Sequence, residues 1–299
     1  MDILFLVSGG IGDQILGLQC AIAVKEKHPD LNVDVISISR DDVFKPLHHL
    51  FRDGGILLYQ HPEREKWGEN HWILQNQKEL NVFPHKLKYY IVPDLLHRNP
   101  LAFDFQKFGQ HMSVIREKRC LTKKWKPGKK RIYMALNTST PEYKYPDIKG
   151  LISKTAELLP DYEVYFNDLT AWAGHSLDNN AQGDYPPNVA YVRNEPFISS
   201  LNKLMESDYV VCLDNGISHI AYQLGIPRSL ISHRLDHKGV MWVARWYPQL
   251  ADCITYDYAP RLPTVIKQNL ECPQTLLIPR LYHAMYPGFD CARTLGFKY

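Results

Sequence analysis

Short apolar runs alternate with stretches of helical periodicity over much of the chain. Near its start, apolar runs at 3–7 and 33–38 flank a glycine-rich turn and a segment, 14–27, whose apolar residues have near-helical spacing. Strand, helix and strand in this order predict a β-α-β unit, and repeated units predict a parallel sheet with helices on both faces. The pattern therefore predicts an α/β protein.

The same alternation continues along the chain, with Asp147 as the expected N-cap of one helix. In the first part we expect further strands at 56–59 and 88–92 and helices at 41–52 and 103–117. In the second part we expect strands at 131–136, 163–166, 189–192 and 209–213 and helices at 147–159, 197–205 and 217–224. Each part opens with a strand, a polar turn and a helix, which predicts two domains of similar plan.

A change in composition at 121–130, to Lys, Trp, Pro and Gly, marks the predicted domain boundary. We expect an N-terminal Rossmann-like domain over 1–125 and a C-terminal one over 126–280. Residues 260–299 show little periodicity and are expected to wrap over the surface, with 281–299 as a tail that packs back on it.

The chain of 299 residues is 45% hydrophobic and 22% charged, which is ordinary for a globular enzyme. Its net charge of +3 gives no reason to expect a nucleic-acid partner. No apolar run approaches the roughly 18–20 residues of a membrane span, so we expect a cytoplasmic protein. The one dense basic cluster is KKWKPGKKR at 123–131. It is expected to be a solvated linker, a contact to an acidic substrate, or a contact to an anionic membrane surface at the inner face of a membrane.

The six cysteines are scattered, and none forms a C-x-x-C pair. Cys20 and Cys212 fall within apolar runs, which predicts buried, reduced thiols and agrees with a cytoplasmic location. This spacing gives no support for a zinc site, and we expect neither a metal nor a cofactor.

The first turn, SGGIGDQILG at 8–17, has three glycines that let the backbone turn sharply and approach a ligand closely. It lacks the dinucleotide fingerprint, because no third glycine lies three residues beyond Gly12. Asp13 follows at the start of the predicted helix. It is either a helix cap that compensates the dipole or a general base placed where the strands end.

The second turn, DNGISH at 214–219, joins an apolar strand to a helix. This geometry places free backbone N–H groups and the positive end of a helix dipole over an anion. Gly216 allows an unusual backbone angle, and Asn215 and Ser218 can donate hydrogen bonds to phosphate oxygens. His219 either makes a local hydrogen bond or contacts a diphosphate.

The third turn, NTSTPEYKYP at 137–146, is either an ordinary polar loop or a site for a leaving phosphate. The hydroxyls of Thr138 and Ser139 and the cation of Lys144 suit the second interpretation. Two acids near strand ends, Asp168 and Asp214, are candidates for contacts to a ribose or a sugar.

Taken together, the three turns resemble those of the ADP-heptose:lipopolysaccharide heptosyltransferase family. The patterns are G-G-x-G-D near the N-terminus, K-x-P after the polar loop, and D-x-G-x-S-H-x-A-x-x-L-G-x-P at 214–227. The resemblance covers roughly 1–40 and 131–230. Two positions depart from the family: its K-x-W-P is shortened to Lys144-Tyr145-Pro146, and its usual Thr after the aspartate is Asn215.

The resemblance implies an inverting, metal-independent glycosyltransferase of the GT-B architecture, with two facing Rossmann-like domains and mainly parallel sheets. Asp13 would be the base that takes a proton from the acceptor hydroxyl. Gly12, Lys144 and the backbone at 215–219 would hold the diphosphate of the donor. The D-x-D triplet typical of metal-dependent sugar-nucleotide sites does not occur in the sequence.

We therefore expect a glycosyltransferase that moves a sugar from a nucleoside-diphosphate sugar to a hydroxyl of a glycan or glycolipid acceptor. Two alternatives stay open: a sugar-nucleotide-binding protein without catalysis, and a nucleotide-sugar epimerase of the same architecture. Donor turnover measured with and without an acceptor separates the three.

Overall fold

The structure of the chain is a computed structural model. It describes residues 2–7, 11–37, 57–60, 87–91, 118, 120–121, 125–138, 144–168, 181–213, 215–232 and 252–271. For residues 2, 6, 13, 36–37, 57–60, 87–91, 232 and 252–258 the description covers the backbone alone. The chain divides into two compact units, Met1–Lys123 and Lys124–Tyr299.

The first unit contains a four-stranded parallel sheet. Its described elements are β1 (Asp2–Val7), α1 (Ile11–Lys27), β2 (Asn32–Ser37), β3 (Leu57–Gln60) and β4 (Leu87–Ile91). The strand order is β3-β2-β1-β4, and all three pairings are parallel. The β-α-β unit predicted at the start of the chain is confirmed, whereas the helices predicted at 41–52 and 103–117 lie outside the described residues.

Helix α1 packs tightly against β1. Gly17 faces Val7 so closely that a Cβ at this position would overlap both γ-carbons of the valine. Gln14, which is buried, donates from Nε2 to the carbonyl oxygen of Val7 at 3.5 Å. Gly17 therefore provides the close helix–strand approach that the third glycine of a dinucleotide fingerprint provides elsewhere.

The second unit contains a six-stranded parallel sheet. Its described elements are β5 (Arg131–Ala135), α2 (Ile148–Leu158), β6 (Glu163–Asp168), β7 (Val189–Arg193), α3 (Phe197–Met205), β8 (Tyr209–Leu213), α4 (Gly216–Leu224), β9 (Arg228–Ser232), β10 (Asp252–Thr255), a 3-10 helix (Tyr256–Arg261) and α5 (Leu262–Glu271). Most of these strands and helices were predicted, with bounds that agree to within one or two residues.

The order of the second sheet is β10-β9-β8-β5-β6-β7, with every pairing parallel. Counted from β5, this is the 3-2-1-4-5-6 order of the Rossmann fold. The chain reverses its direction of winding between β5 and β8, and ligands of such sheets bind beyond the carboxyl ends of the strands at this switch point. The loops after β5 and β8 therefore form the candidate ligand site of this sheet.

The ends of two helices confirm the sequence signals that predicted them. Asp147 caps α2 and accepts a hydrogen bond from the N–H of Gly150 at 2.9 Å. Gly225 ends α4 in the left-handed region, with φ of 75°, and the next N–H, of Ile226, reaches back to the carbonyl of Ala221. Glycine adopts this φ without the steric cost that a side chain carries.

One prediction for the second unit is wrong. Residues 262–271 do not wrap over the surface but form α5, in which Leu262, Val265 and Ile266 are buried. The apolar spacing i, i+3, i+4 is present in the sequence, but a helix was not predicted because Pro263 lies within it. A proline is tolerated in the first turn of a helix, where its missing N–H has no intrahelical partner to lose. The tail at 281–299 lies outside the described residues.

The described residues bear on two expectations from composition, the state of the cysteines and the presence of membrane spans. Cys20 and Cys212 are buried and form no disulfide, as predicted, and the same holds for Cys120. In the described ranges, no helix has the length and apolar character needed to cross a membrane.

Candidate functional site

The loops that follow β5 and β8 are joined by the side chain of Asn215. Its Nδ2 donates to the carbonyl oxygens of Ala135 at 2.8 Å and of Asn137 at 3.0 Å. Its Oδ1 accepts from the N–H groups of Ile217 at 3.1 Å and Ser218 at 3.3 Å, which caps α4. A single amide therefore fixes the start of α4 to the end of β5 across the switch point.

The first turn of α4 carries three of the predicted donor contacts: Gly216, Ser218 and His219. Ser218 is buried, and its hydroxyl donates to the carbonyl of Asn215 at 2.6 Å. Since the amide of Asn215 and the hydroxyl of Ser218 both bond to the protein itself, a phosphate at this turn is expected to meet the backbone instead. Gly216 has no side chain to shield its N–H, and His219 is partly exposed one turn along the helix.

The bonds between neighbouring strands continue away from the switch point. Asn137 donates from Nδ2 to the carbonyl of Asn167, near the end of β6, at 2.6 Å. Asn167 donates to the carbonyl of Glu195 at 3.1 Å and accepts from its N–H at 3.0 Å, just beyond β7. Three asparagines thus connect the carboxyl ends of β8, β5, β6 and β7, and we call Asn215, Asn137 and Asn167 the asparagine chain.

Asp168 ends β6 at the same edge of the sheet and is fully buried. Its Oδ2 accepts a hydrogen bond from the hydroxyl of Tyr191 at 2.8 Å, and the ring of Tyr185 stacks on that of Tyr191 with centroids 5.6 Å apart. Burial, followed by the carboxylate of Asp168, raises the pKa of Tyr191 well above its ordinary value, and the same causes raise the pKa of Tyr185 to about 12. Both phenols therefore stay neutral and can act only as hydrogen-bond donors or acceptors near neutral pH.

A polar network lies between the sheet and α3. Tyr165 donates its hydroxyl proton to Oε2 of Glu195, and Nζ of Lys203 donates to Oε1 of Glu195 at 2.6 Å. The hydroxyl of Ser200 bonds to that of Tyr133 and lies 3.4 Å from that of Tyr165. Burial raises the pKa of Tyr133 to about 12. Burial acts to raise the pKa of Glu195 as well, but the hydrogen bonds from Lys203 and Tyr165 outweigh it and lower that pKa below its ordinary value.

Most of these hydrogen-bond partners were not predicted from the sequence. Asn137 and Asn167 were not identified because the bonds of these asparagines link residues about 30 to 80 positions apart along the chain. Tyr185 and Tyr191 give no sequence signal that separates them from ordinary aromatic residues of the core.

The second unit brings several predicted site residues to one edge of its sheet. Thr138 and Lys144 lie in the β5–α2 connection, Asp168 ends β6, and Asn215 to His219 start α4. Ser139 and Asp214 lie outside the described residues. In the part of the chain that the structure covers, no group of three or more His, Cys, Asp or Glu side chains is arranged to hold a metal ion.

The remaining predicted residues belong to the first unit. Gly12 and Asp13 lie in the first turn of α1, which follows the carboxyl end of β1. The predicted helix began at 14, so the two residues sit inside the helix rather than before it. For Asp13 the description stops at the backbone.

No protein-family model matches the sequence, and no curated protein matches it either. Solved structures do match. E. coli heptosyltransferase WaaC with ADP has a TM-score of 0.54 at 10% identity, covering 91% of this chain and 98% of that one. E. coli ADP-heptose lps heptosyltransferase II has a TM-score of 0.50 at 13% identity, with coverages of 94% and 99%.

The iron-containing dodecameric glycosyltransferase TibC from enterotoxigenic E. coli has a TM-score of 0.52 at 17% identity. That match covers 77% of this chain but only 57% of TibC, so the present chain spans little more than half of its length. At these identities the likeness establishes the fold. The expected class is confirmed: the chain is an α/β protein with the GT-B fold that these glycosyltransferases share.

Proposed function

We propose that the chain is an inverting glycosyltransferase that needs no metal ion and takes its sugar from a nucleoside-diphosphate sugar. The acceptor is a hydroxyl group of a glycan or glycolipid. The observation that carries this proposal is the start of α4, held by Asn215 against the end of β5 at the switch point of a Rossmann-type sheet. The solved WaaC structure, which shares the fold, contains ADP.

The donor diphosphate is proposed to lie against the first turn of α4. Backbone N–H groups and the helix dipole favour an anion there, and Gly216 allows close approach. Lys144 supplies a full positive charge from the β5–α2 connection, and His219 adds a ring N–H from one turn along α4. Thr138 and Ser139 are proposed to donate hydroxyl hydrogen bonds to the diphosphate, and Gly12 is proposed as a further diphosphate contact.

These groups supply what the leaving group needs. When the bond between the anomeric carbon and the diphosphate oxygen breaks, negative charge grows on the diphosphate, and fixed donors that stabilise this charge lower the barrier. A helix N-terminus and a lysine provide positive potential without a metal. The ribose or the sugar of the donor is assigned to Asp168, whose carboxylate is oriented by Tyr191, and to Asp214.

Asp13 is proposed as the general base. It takes the proton of the acceptor hydroxyl while the hydroxyl oxygen attacks the anomeric carbon from the side opposite the diphosphate. A single displacement of this kind inverts the configuration at that carbon. General bases contribute about 10²- to 10⁴-fold to enzymatic rates, so the residue is testable by substitution.

A panel of nucleoside diphosphates and their sugars tests the binding part. A ligand at 100 times its Kd stabilises a protein by about 2.7 kcal/mol, which a thermal-shift assay detects. Donor consumption that depends on an added acceptor supports a transferase. Conversion of the donor sugar without an acceptor would indicate an epimerase, and binding without turnover a non-catalytic protein.

The variant Asp13→Asn tests the base. It keeps the shape of the side chain and removes its basicity, so turnover is expected to fall at least about 10²-fold while nucleotide affinity stays within about twofold. Full turnover by Asp13→Asn would remove Asp13 from the mechanism. The anomeric configuration of the product, read by NMR, tests the inversion independently.

A further inference from the structure

We infer that the asparagine chain is a positioning device for the proposed diphosphate site, and that Asn215 acts by holding the loops rather than by touching the phosphate. The inference rests on the proposed function and deepens it. Its starting point is that all four hydrogen bonds of the Asn215 amide end on the backbone of this protein: two on the β5 loop and two on α4.

The hydrogen-bonding capacity of an asparagine side chain explains why Asn215 does not bind phosphate directly. A side-chain amide has two N–H donors and one carbonyl oxygen with two lone pairs. Both donors are taken by the carbonyls of Ala135 and Asn137, and the oxygen accepts from two N–H groups of α4. A phosphate bond from this side chain would leave a loop carbonyl without its donor.

A threonine at position 215 could cap α4 but could not make this clamp. Its hydroxyl oxygen can accept from the first turn of the helix, as Asn215 Oδ1 does. It has only one donor hydrogen, on a shorter side chain, and cannot replace both Nδ2 bonds to the β5 loop. The substitution Asn215→Thr therefore separates the capping role from the clamping role.

The asparagine chain also holds together the strand ends beyond β5. Asn137, whose carbonyl accepts from Asn215, donates to Asn167 O on β6, and Asn167 exchanges two bonds with the backbone of Glu195. Each link crosses from one strand to its neighbour in the sheet. The loops after β8, β5 and β6 are thereby held in register with one another, and these loops carry the proposed diphosphate and ribose contacts.

A similar asparagine at the other end of the same sheet provides a matched control. Asn188, just before β7, donates from Nδ2 towards the carbonyls of Ala156, Leu159 and Tyr162 at 3.0, 3.2 and 3.0 Å. It ties the end of α2 to the turn that enters β6. Substitution of Asn188 removes the same kind of bond but far from the carboxyl edge.

The experiment measures the Kd of one nucleoside diphosphate and the unfolding temperature for each variant. The probe is whichever of ADP, UDP, GDP, CDP and dTDP stabilises the natural chain most, and titration is done where every variant is folded. We expect Kd to rise about tenfold in Asn215→Thr and about threefold in Asn137→Ala. In Asn188→Thr and Asn188→Ala we expect a lower unfolding temperature and a Kd within about twofold of the natural chain.

The outcomes separate the proposed nucleotide binding from the proposed positioning role of the asparagine chain. If none of the five diphosphates binds the natural chain, the proposed function fails and this inference with it. If one binds but Asn215→Thr and Asn137→Ala bind it as tightly as the natural chain, the positioning role alone is overturned. An effect of Asn215→Thr without any effect of Asn137→Ala would also overturn it, because a direct phosphate contact predicts that pattern. Should Asn215→Thr fail to fold, Asn137→Ala, which leaves the α4 cap intact, decides.

Discussion

The two ends of the second sheet use polar side chains in different ways. At the amino end, Asp208 accepts from the N–H groups of Gly128 at 2.8 Å and Arg131 at 3.2 Å, and its own N–H donates to the carbonyl of Arg131. Trp125 donates from its ring N–H to the carbonyl of Ser207 at 2.7 Å. These bonds hold the segment that enters β5 against the segment that enters β8.

The carboxyl end is held by asparagines that connect strand to strand, as described above. There the helix that follows β8 points its N-terminus at the edge of the sheet, and Lys144 and Thr138 lie in the neighbouring loop. At the amino end, α3 arrives with its C-terminus, and its last carbonyls accept from the chain, as Met205 does from Lys126. A helix C-terminus favours cations, so among the described residues the helix termini favour an anion at the carboxyl end and not at the amino end.

The described part of the basic stretch lies at the amino end. Lys126, Lys129 and Lys130 are exposed, and Lys130 adopts a positive φ of 46°. The stretch is thus a connection whose backbone is hydrogen-bonded to Asp208, and it is not part of the proposed diphosphate site. Its contact with a membrane stays a prediction.

Asp208→Ala is the largest expected disturbance and tests the amino end. Hydrogen bonds to a charged acceptor contribute about 1.5–3 kcal/mol, and two N–H groups lose their acceptor, so we expect about 3 kcal/mol less stability in denaturant unfolding. Nucleotide affinity should not change. A large loss of affinity at unchanged stability would show that the two ends are not independent.

The two ends of the sheet were predictable from the sequence only where the interacting residues lie close together along the chain. Apolar runs such as 209–213, the cap at Asp147 and the stop at Gly225 are local signals, so strands and helix ends were predicted well. The partners of Asp208 and Asn215 lie about 80 residues away along the chain. Nothing local in the sequence predicts such pairs, so the bonds that hold the turns could not be predicted. The chemistry assigned to the turns stays a prediction.

Glu195→Gln tests the polar network behind the carboxyl end. Glu195 accepts from Tyr165 and Lys203, and we expect the neutral amide to cost about 2 kcal/mol at neutral pH. Because the pKa of Glu195 is lowered on folding, its contribution is full above the ordinary value of 4.5 and is lost as pH falls through the folded pKa. The difference in unfolding free energy between the natural chain and Glu195→Gln should therefore shrink in acid.

A difference that stays constant from pH 7 to pH 3 would contradict the ionised state of Glu195. Lys203→Met provides a control. It removes a cation that lowers the pKa of Glu195, so the unfolding free energy of this variant should depend less on pH in the acid range.

Lys144→Ala gives the smallest expected effect and compares one lysine at each end of the sheet. Loss of a cation beside the diphosphate should weaken nucleotide binding about tenfold, which corresponds to about 1.4 kcal/mol. Lys129→Ala removes the same charge from a more exposed side chain at the amino end and should leave the affinity unchanged. Equal effects of the two substitutions would mean that the lysines act only through the net charge of the protein.

The most direct test is a crystal structure of the chain soaked with the nucleoside diphosphate that binds best. The account predicts the diphosphate at the first turn of α4, with an oxygen within hydrogen-bond distance of the Gly216 N–H and the Asn215 amide still bonded to Ala135 and Asn137. A diphosphate at the amino end of the sheet, or an Asn215 amide turned away from the β5 loop onto the phosphate, would contradict it.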